Sequence, residues 1–372
     1  VGFVSPDFRN HPSHRFLPQT LENLDRERFE LFLYSTAERE DENTQVYKML
    51  SNVWRASARM SVRELAKRIH DDRIDVLIDM AGHTAGGRLL VFHLRPAPVQ
   101  VNWLGYPCTS GLQSMDYRIT DSLVDPPGFE SQSVEKLVRI DPCFMSYRPP
   151  EGLPEVDPTP PSERQSATPM LGGGGVTFVS FNAIQKVNAR VVRAWARVLK
   201  EARDARLVIR HRGTLQADVR QHLKERLTQA GASPDMVVVE PPAAGVHEAM
   251  MAYNHADIAL DTFPYPGVTT TCEALWMGVP VVSMEGKTSH ARNGLPIMHA
   301  AGLGDLVAKD EDAYVAIAVK LAADVERRRE LRKTLRGTLE SSALRDEKGF
   351  ARKFEHAIRG MWRERCAGVR EG

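Results

Sequence analysis

The residues with most chemical potential lie in Phe263-Pro-Tyr-Pro-Gly-Val-Thr-Thr-Thr-Cys-Glu273 and the apolar run that follows to Val282. This pattern reads as a strand end, a glycine turn, a threonine-rich helix start, a short helix and another buried strand. Thr269, Thr270 and Thr271 fall in the first helical turn, where backbone N–H groups lack partners inside the helix. Such an end carries partial positive charge and receives phosphate. Gly267 lets a ligand approach the backbone. Glu273 is placed in the same first turn, within reach of a hydroxyl beside that phosphate. A diphosphate joined to a ribose fits the arrangement. An ordinary capped strand–helix–strand crossover fits it equally well, and this stretch alone does not choose.

Four other polar segments follow strand-like runs. Ser5-Pro-Asp-Phe-Arg-Asn-His-Pro-Ser-His14 carries His11 and His14, the side-chain type most easily tuned for proton transfer near neutral pH. Gly82-His-Thr-Ala-Gly-Gly87 sets His83 in a glycine-rich turn suited to a phosphate, a sugar or no ligand at all. Trp103-Leu-Gly-Tyr-Pro-Cys-Thr-Ser-Gly111 reads as a rigid loop. Ser180-Phe-Asn-Ala-Ile-Gln-Lys186 puts Lys186 before a helix, where its ammonium can meet phosphate as a point charge. No D-x-D cluster follows any of the strand-like runs read below, and no carboxylates are paired at metal-ligand spacing. The expectation is therefore a metal-free site that stabilises a leaving group with Lys and backbone N–H groups.

The elements that must position these residues alternate between strand and helix. Residues 1–5, 28–35, 75–80 and 99–104 read as strands, with weaker candidates at 116–119 and 136–140 and a helix at 61–71. A Pro-dense stretch ending in Gly172–Gly175 cannot propagate a helix or a central strand. It reads as an interdomain linker over residues 151–175. Beyond it, strands at 176–181, 206–210, 236–240, 257–260 and 279–284 alternate with helices at 189–202, within 215–230, around 247–254 and 290–301, and at 311–335. Such buried strands between helices predict parallel sheets covered on both faces. The expected fold is α/β, two Rossmann-like domains facing across a cleft, over residues 1–150 and 176–345, with a last helix in 346–372.

Composition narrows the partners. The chain has 372 residues, is 42% hydrophobic and 26% charged, and carries a net charge of +1. No overall field favours nucleic acid or an anionic membrane, and no apolar run reaches the roughly 18 residues of a membrane span. Cys108, Cys143, Cys272 and Cys366 are scattered, which fits a reducing, cytoplasmic setting. The chain opens on a strand already under way and without Met, so Val1 is expected to be a cut point in a longer protein.

Taken together and in order, Val4-Ser-Pro-Asp-Phe8, Leu94-Arg-Pro-Ala-Pro-Val-Gln100, Trp103-Leu-Gly-Tyr-Pro107, Asp116-Tyr-Arg-Ile-Thr-Asp-Ser122, Ser180-Phe-Asn182 with Lys186, and Leu260-Asp-Thr-Phe-Pro-Tyr265 through Pro280 resemble the catalytic region of the protein O-glycosyltransferases. That family includes the O-linked N-acetylglucosamine transferases and SPINDLY. The resemblance covers residues 1–362. It implies a GT-B type fold and metal-independent, inverting transfer of a sugar to Ser or Thr of a protein or peptide. The implied donor is UDP-N-acetylglucosamine, with GDP-fucose as the alternative. It also implies an N-terminal tetratricopeptide region and no cofactor.

By position, the resemblance makes Lys186 the diphosphate-binding lysine and Thr269 and Thr270 the helix-start pair, beside Gly267 and Thr271. Glu273 becomes the ribose contact, and His247 a contact to the base. Leu104, Gly105 and Pro107 line the sugar, and His11 stands near the reacting centre. The general base stays open among His11, His14, His83 and no side chain at all. Val268 and Ala183 replace a His and a Gln of the animal enzymes, and Val268 with the Asp261-Thr-Phe-Pro-Tyr265 and Thr269-Thr-Thr-Cys-Glu273 runs resembles the SPINDLY type more closely. A nucleotide-sugar epimerase or a non-catalytic nucleotide-sugar-binding domain on the same architecture are the rival readings.

Overall fold

Short runs of β-branched and aromatic residues form the strands, and helices with one apolar face return the chain between them. A computed structural model describes residues 1–164 and 175–370. The chain divides into Val1–Arg148 with Ala343–Gly372, called unit 1, and Pro149–Ser342, called unit 2.

Unit 1 holds β1 (Gly2–Ser5), β2 (Phe32–Ser35), β3 (Val53–Ala56), β4 (Val76–Asp79), β5 (Val99–Asn102), β6 (Tyr117–Thr120) and β7 (Lys136–Arg139). They form one sheet in the order β3-β2-β1-β4-β5-β6-β7. Every pairing is parallel, with Gly2 opposite both Phe32 and Leu77. Chain order reverses between β1 and β4, the place where loops of such a sheet leave a crevice. The helices are α1 (Pro18–Glu22), α2 (Glu42–Leu50), α3 (Val62–Asp71) and α4 (Leu89–His93). Capping boxes on Asp41 and Ser61 start α2 and α3. Leu65, Ile69, Val91 and Phe92 bury against Val4, Tyr34 and Leu77 of the sheet. Each such side chain contributes roughly 1.5–3 kcal/mol on leaving water.

Unit 2 repeats the plan with β8 (Thr177–Ser180), β9 (Arg206–Arg210), β10 (Val237–Glu240), β11 (Ile258–Leu260), β12 (Val281–Met284) and β13 (Val307–Ala308). The order is β10-β9-β8-β11-β12-β13, again parallel, with the reversal between β8 and β11. Its helices are α5 (Ala189–Glu201), α6 (Ala217–Gln229), α7 (Val246–Ala252), α8 (Thr269–Trp276), α9 (Leu295–Ala300), α10 (Glu311–Ala323) and α11 (Val325–Glu340). On α5, Val191, Val192, Trp195, Val198 and Leu199 are buried. The Trp195 indole donates to the Tyr314 hydroxyl at 3.2 Å, and that hydroxyl donates to the Asp261 carbonyl at 2.8 Å. A helix face is thereby tied to the end of β11.

Two boundaries differ from the sequence reading. The final helix, α12 (Glu347–Arg370), belongs to unit 1. Phe354 of α12 packs on Trp103 at 4.6 Å between ring centroids, and Glu355 accepts the Asp25 N–H at 2.6 Å. Residues 149–164 are not a free linker, because α11 clamps them to unit 2. Arg332 donates to the Asp157 carbonyl at 2.9 Å, and Ser162 donates to Asp257 at 2.7 Å. Proline removes helix and sheet as options there, but side chains still anchor the strap. The glycine run before Gly175 lies outside the described residues. Among the described residues no helix is long and apolar enough to cross a membrane.

Candidate active site

The reversal point of unit 2 gathers most of the residues singled out above. Asp261 follows β11 and is buried. Its carboxylate accepts from Gly267 N–H at 2.6 Å, Ser283 Oγ at 2.7 Å, Thr262 N–H at 2.8 Å and Asn182 Nδ2 at 3.1 Å. Burial pushes this carboxyl above the usual carboxylate range, while the Ser283 bond, the Gly267 bond and the Lys186 charge pull it back. An acceptor-only carboxylate fixes the Asn182 amide with its nitrogen toward Asp261. The Asn182 oxygen then accepts the Thr270 hydroxyl at 3.0 Å.

That bond decides the state of the helix start. The N-cap of α8 is Val268, and no side chain caps the helix. Thr269, Thr270 and Thr271 supply its first N–H groups, and the Thr270 hydroxyl is turned away to Asn182. Helix geometry leaves these first N–H groups without internal partners. Gly267 is required by close approach: a Cβ there would stand 2.6 Å from Thr270 Oγ1 and 2.9 Å from Asn182 Oδ1.

Lys186 ends a single 3₁₀ turn, Ile184–Lys186, after β8. Its Nζ donates to the Pro266 carbonyl at 2.7 Å and lies 3.9 Å from the centroid of the Tyr265 ring. Burial lowers the ammonium pKa, and the Asp261 charge partly restores it. A partly desolvated cation beside an uncapped helix start has the charge and the donors to receive an anion.

One sequence placement is corrected. Glu273 is the fifth residue of α8, in the second turn rather than the first. His247 is exposed on α7, after the edge strand β10, and makes no hydrogen bond or ion pair to the Lys186–Asp261 cluster. Asp261 and Asn182 were not singled out as site residues. An Asp directly after a buried apolar strand was the available signal.

In unit 1 the loops after β1, β4 and β5 carry the remaining candidates. His11 caps the turn Pro12–Arg15, its Nδ1 accepting the Ser13 N–H at 3.3 Å, with Asp7 at 3.7 Å. His14 Nδ1 lies 3.2 Å from the Tyr47 hydroxyl, and burial lowers its pKa. Leu104 has φ of 79°, and the Gly105 N–H returns to the Trp103 carbonyl at 3.2 Å, making a tight γ-turn. A Cβ on Gly105 would stand 1.8 Å from the Met80 carbonyl, so the turn is seated directly on the β4 loop. Pro107 follows in the same half-buried loop. Among the described residues no three His, Cys, Asp or Glu side chains are grouped to hold a metal ion.

Comparison with known proteins gives the family and the fold. The profile of Glycosyl transferase family 41 matches residues 1–146 and 164–354. The probable UDP-N-acetylglucosamine–peptide N-acetylglucosaminyltransferase SPINDLY of Arabidopsis thaliana is 40% identical over 99% of this chain, which spans 40% of that protein. A solved O-GlcNAc transferase of Thermobaculum terrenum, in mutant form, superposes with a TM-score of 0.92 at 34% identity, covering 99% of this chain and 68% of that one. The sucrose-phosphate synthase of Thermosynechococcus elongatus shares the fold alone, with a TM-score of 0.61 at 12% identity, over 98% and 99% of the two chains.

Proposed function

The chain belongs to glycosyl transferase family 41, and on that premise we propose that it moves N-acetylglucosamine from UDP-N-acetylglucosamine to Ser or Thr hydroxyls of proteins, with inversion and without a metal. The observation that carries this reading is the uncapped start of α8 beside the half-buried Lys186 ammonium. When the acceptor oxygen bonds to the anomeric carbon, the bond from that carbon to the diphosphate oxygen breaks. Negative charge then gathers on the departing nucleoside diphosphate. The Thr269–Thr271 N–H groups and Lys186 are donors set in place before the reaction, which is where such stabilisation is strongest. Gly267 leaves room for the phosphate, Glu273 takes a ribose hydroxyl and His247 a base edge. Leu104, Gly105 and Pro107 hold the sugar. His11, with Nδ1 engaged in its cap, carries its proton on Nε2 when neutral and serves as a hydrogen-bond donor near the reacting centre.

The test is transfer from UDP-N-acetylglucosamine and, separately, GDP-fucose to Ser/Thr peptides, read by mass spectrometry on the full-length protein. The expected product is a peptide heavier by one N-acetylhexosamine. A fucosylated peptide would move the donor to GDP-fucose. An isomerised sugar nucleotide formed without any acceptor would replace the transferase reading by an epimerase.

A further inference from the structure

We propose that His83 takes the proton of the acceptor hydroxyl through its Nδ1, a role that rests on the transferase reading above. His83 sits on the loop after β4, at the reversal point of the unit 1 sheet, and its ring is exposed. Its Nε2 lies 2.8 Å from the Ser110 carbonyl oxygen. A carbonyl can only accept, so Nε2 carries the hydrogen, and neutral imidazole then keeps its lone pair on Nδ1. A general base needs that lone pair outside the hydrogen bonds that orient the ring.

The anchor is itself fixed. Glu135 is 3% exposed and accepts the Ser110 N–H at 2.6 Å, together with the Thr109 hydroxyl at 2.7 Å and the Ser133 hydroxyl at 2.6 Å. The Tyr106 ring, between Gly105 and Pro107, meets the His83 ring edge-on at 5.2 Å. Gly82, with φ of 55°, lies under that tyrosine: a Cβ would be 2.4 Å from Tyr106 Cβ. The imidazole is therefore locked against the loop assigned to the sugar. Asp79, at the root of the His83 loop, is wholly buried and holds the Ala81 and Gly82 N–H groups at 3.2 and 2.8 Å. Among the described residues, the ionisable Tyr106 lies against His83 with Cys108 near it, and Glu135 lies behind Ser110.

The other two histidines are less suited. The Nδ1 of His11 is committed to the Ser13 N–H, which leaves the proton on Nε2. Burial disfavours the charged form of His14. In the step itself, the acceptor oxygen bonds to the anomeric carbon and its proton passes to His83 Nδ1. The nucleoside diphosphate leaves with the electron pair, and the imidazolium returns its proton to water.

The experiment compares the full-length wild type with His83→Gln and His83→Ala. Glutamine keeps an N–H for the Ser110 carbonyl but offers no base. The expected result for His83→Gln is a kcat lower by about 10²-fold or more, an unchanged donor KM and melting temperature, and loss of the acid limb of the pH–rate profile. Added imidazole should restore turnover to His83→Ala, which a packing role would not allow. Turnover of His83→Gln within twofold of wild type overturns the assignment. So does a loss that leaves the pH profile unchanged and is not rescued in His83→Ala. A wild type that transfers no sugar to any Ser/Thr acceptor would instead remove the transferase reading, and this assignment with it.

Discussion

Lys186 occupies a position that water alone would not stabilise. Its ammonium is partly desolvated and rests on one carbonyl and one ring face. Contacts of that kind contribute about 0.5–2 kcal/mol, and an incoming diphosphate adds full opposite charges. Replacing Lys186 by Ala should lower turnover by about 10²–10³-fold, as loss of a preset donor does elsewhere, with the melting temperature retained; steady-state rates and thermal unfolding measure both. Asp261 acts one step behind the ligand. Asp261→Ala strips the acceptor from Gly267 N–H, Asn182 Nδ2 and Ser283 Oγ. Buried donors left this way cost about 1–3 kcal/mol. The expected outcome is a lower denaturant midpoint together with weaker nucleotide binding. Wild-type stability in that variant would show that the carboxylate does not hold the loop.

At the scale of elements, α8 is short, uncapped and pinned by the Asn182–Thr270 bond. Introducing a cap should close it. Val268→Asp places a carboxylate where it can accept N–H groups of the first turn and repel phosphate. Nucleoside diphosphate affinity should fall at least tenfold by calorimetry while thermal stability holds. Affinity equal to wild type would mean that the anion sits elsewhere. The same element shows what was legible in the sequence. The strand, glycine turn and threonine run fixed the place of α8 and its partner Lys186, because apolar strands and glycines leave strong local signals. The turn occupied by Glu273 was misread, since a helix start shifts by a residue or two when no side chain marks the cap. α2 and β3 left little trace: α2 buries only Thr44 and Tyr47, and no residue of β3 is fully buried. The ties of α12 to unit 1 and of residues 149–164 to α11 are contacts far apart in sequence, which no local pattern encodes.

At the scale of the whole molecule, two buried carboxylates of unit 1 give folding a pH dependence. Burial raises Asp79 to about 6 and Asp121 to about 7, each above the roughly 4 of an unfolded chain, although backbone N–H bonds pull both down. A raised folded pKa means the native state binds more protons than the unfolded state in that interval. The stability these groups contribute is complete below about pH 4 and is lost as pH rises through about 6 and 7. Asp121→Asn keeps an oxygen acceptor for the Leu123 and Val124 N–H groups without the charge, and gives up the bond from the Phe144 N–H. Between pH 5 and 8 the wild type should lose more melting temperature than this variant, and equal losses would contradict the assignment.

Both units bring loops to the reversal points of parallel sheets, and in unit 2 α8 and Lys186 are proposed to grip a nucleoside diphosphate. Calorimetric titration of wild type and Lys186→Ala with UDP, GDP and the matching nucleosides tests it most directly. Tight binding of one diphosphate is expected, with at least tenfold weaker binding of its nucleoside and a loss of at least tenfold in Lys186→Ala. Equal affinity for diphosphate and nucleoside, or an unchanged Lys186→Ala, would contradict it.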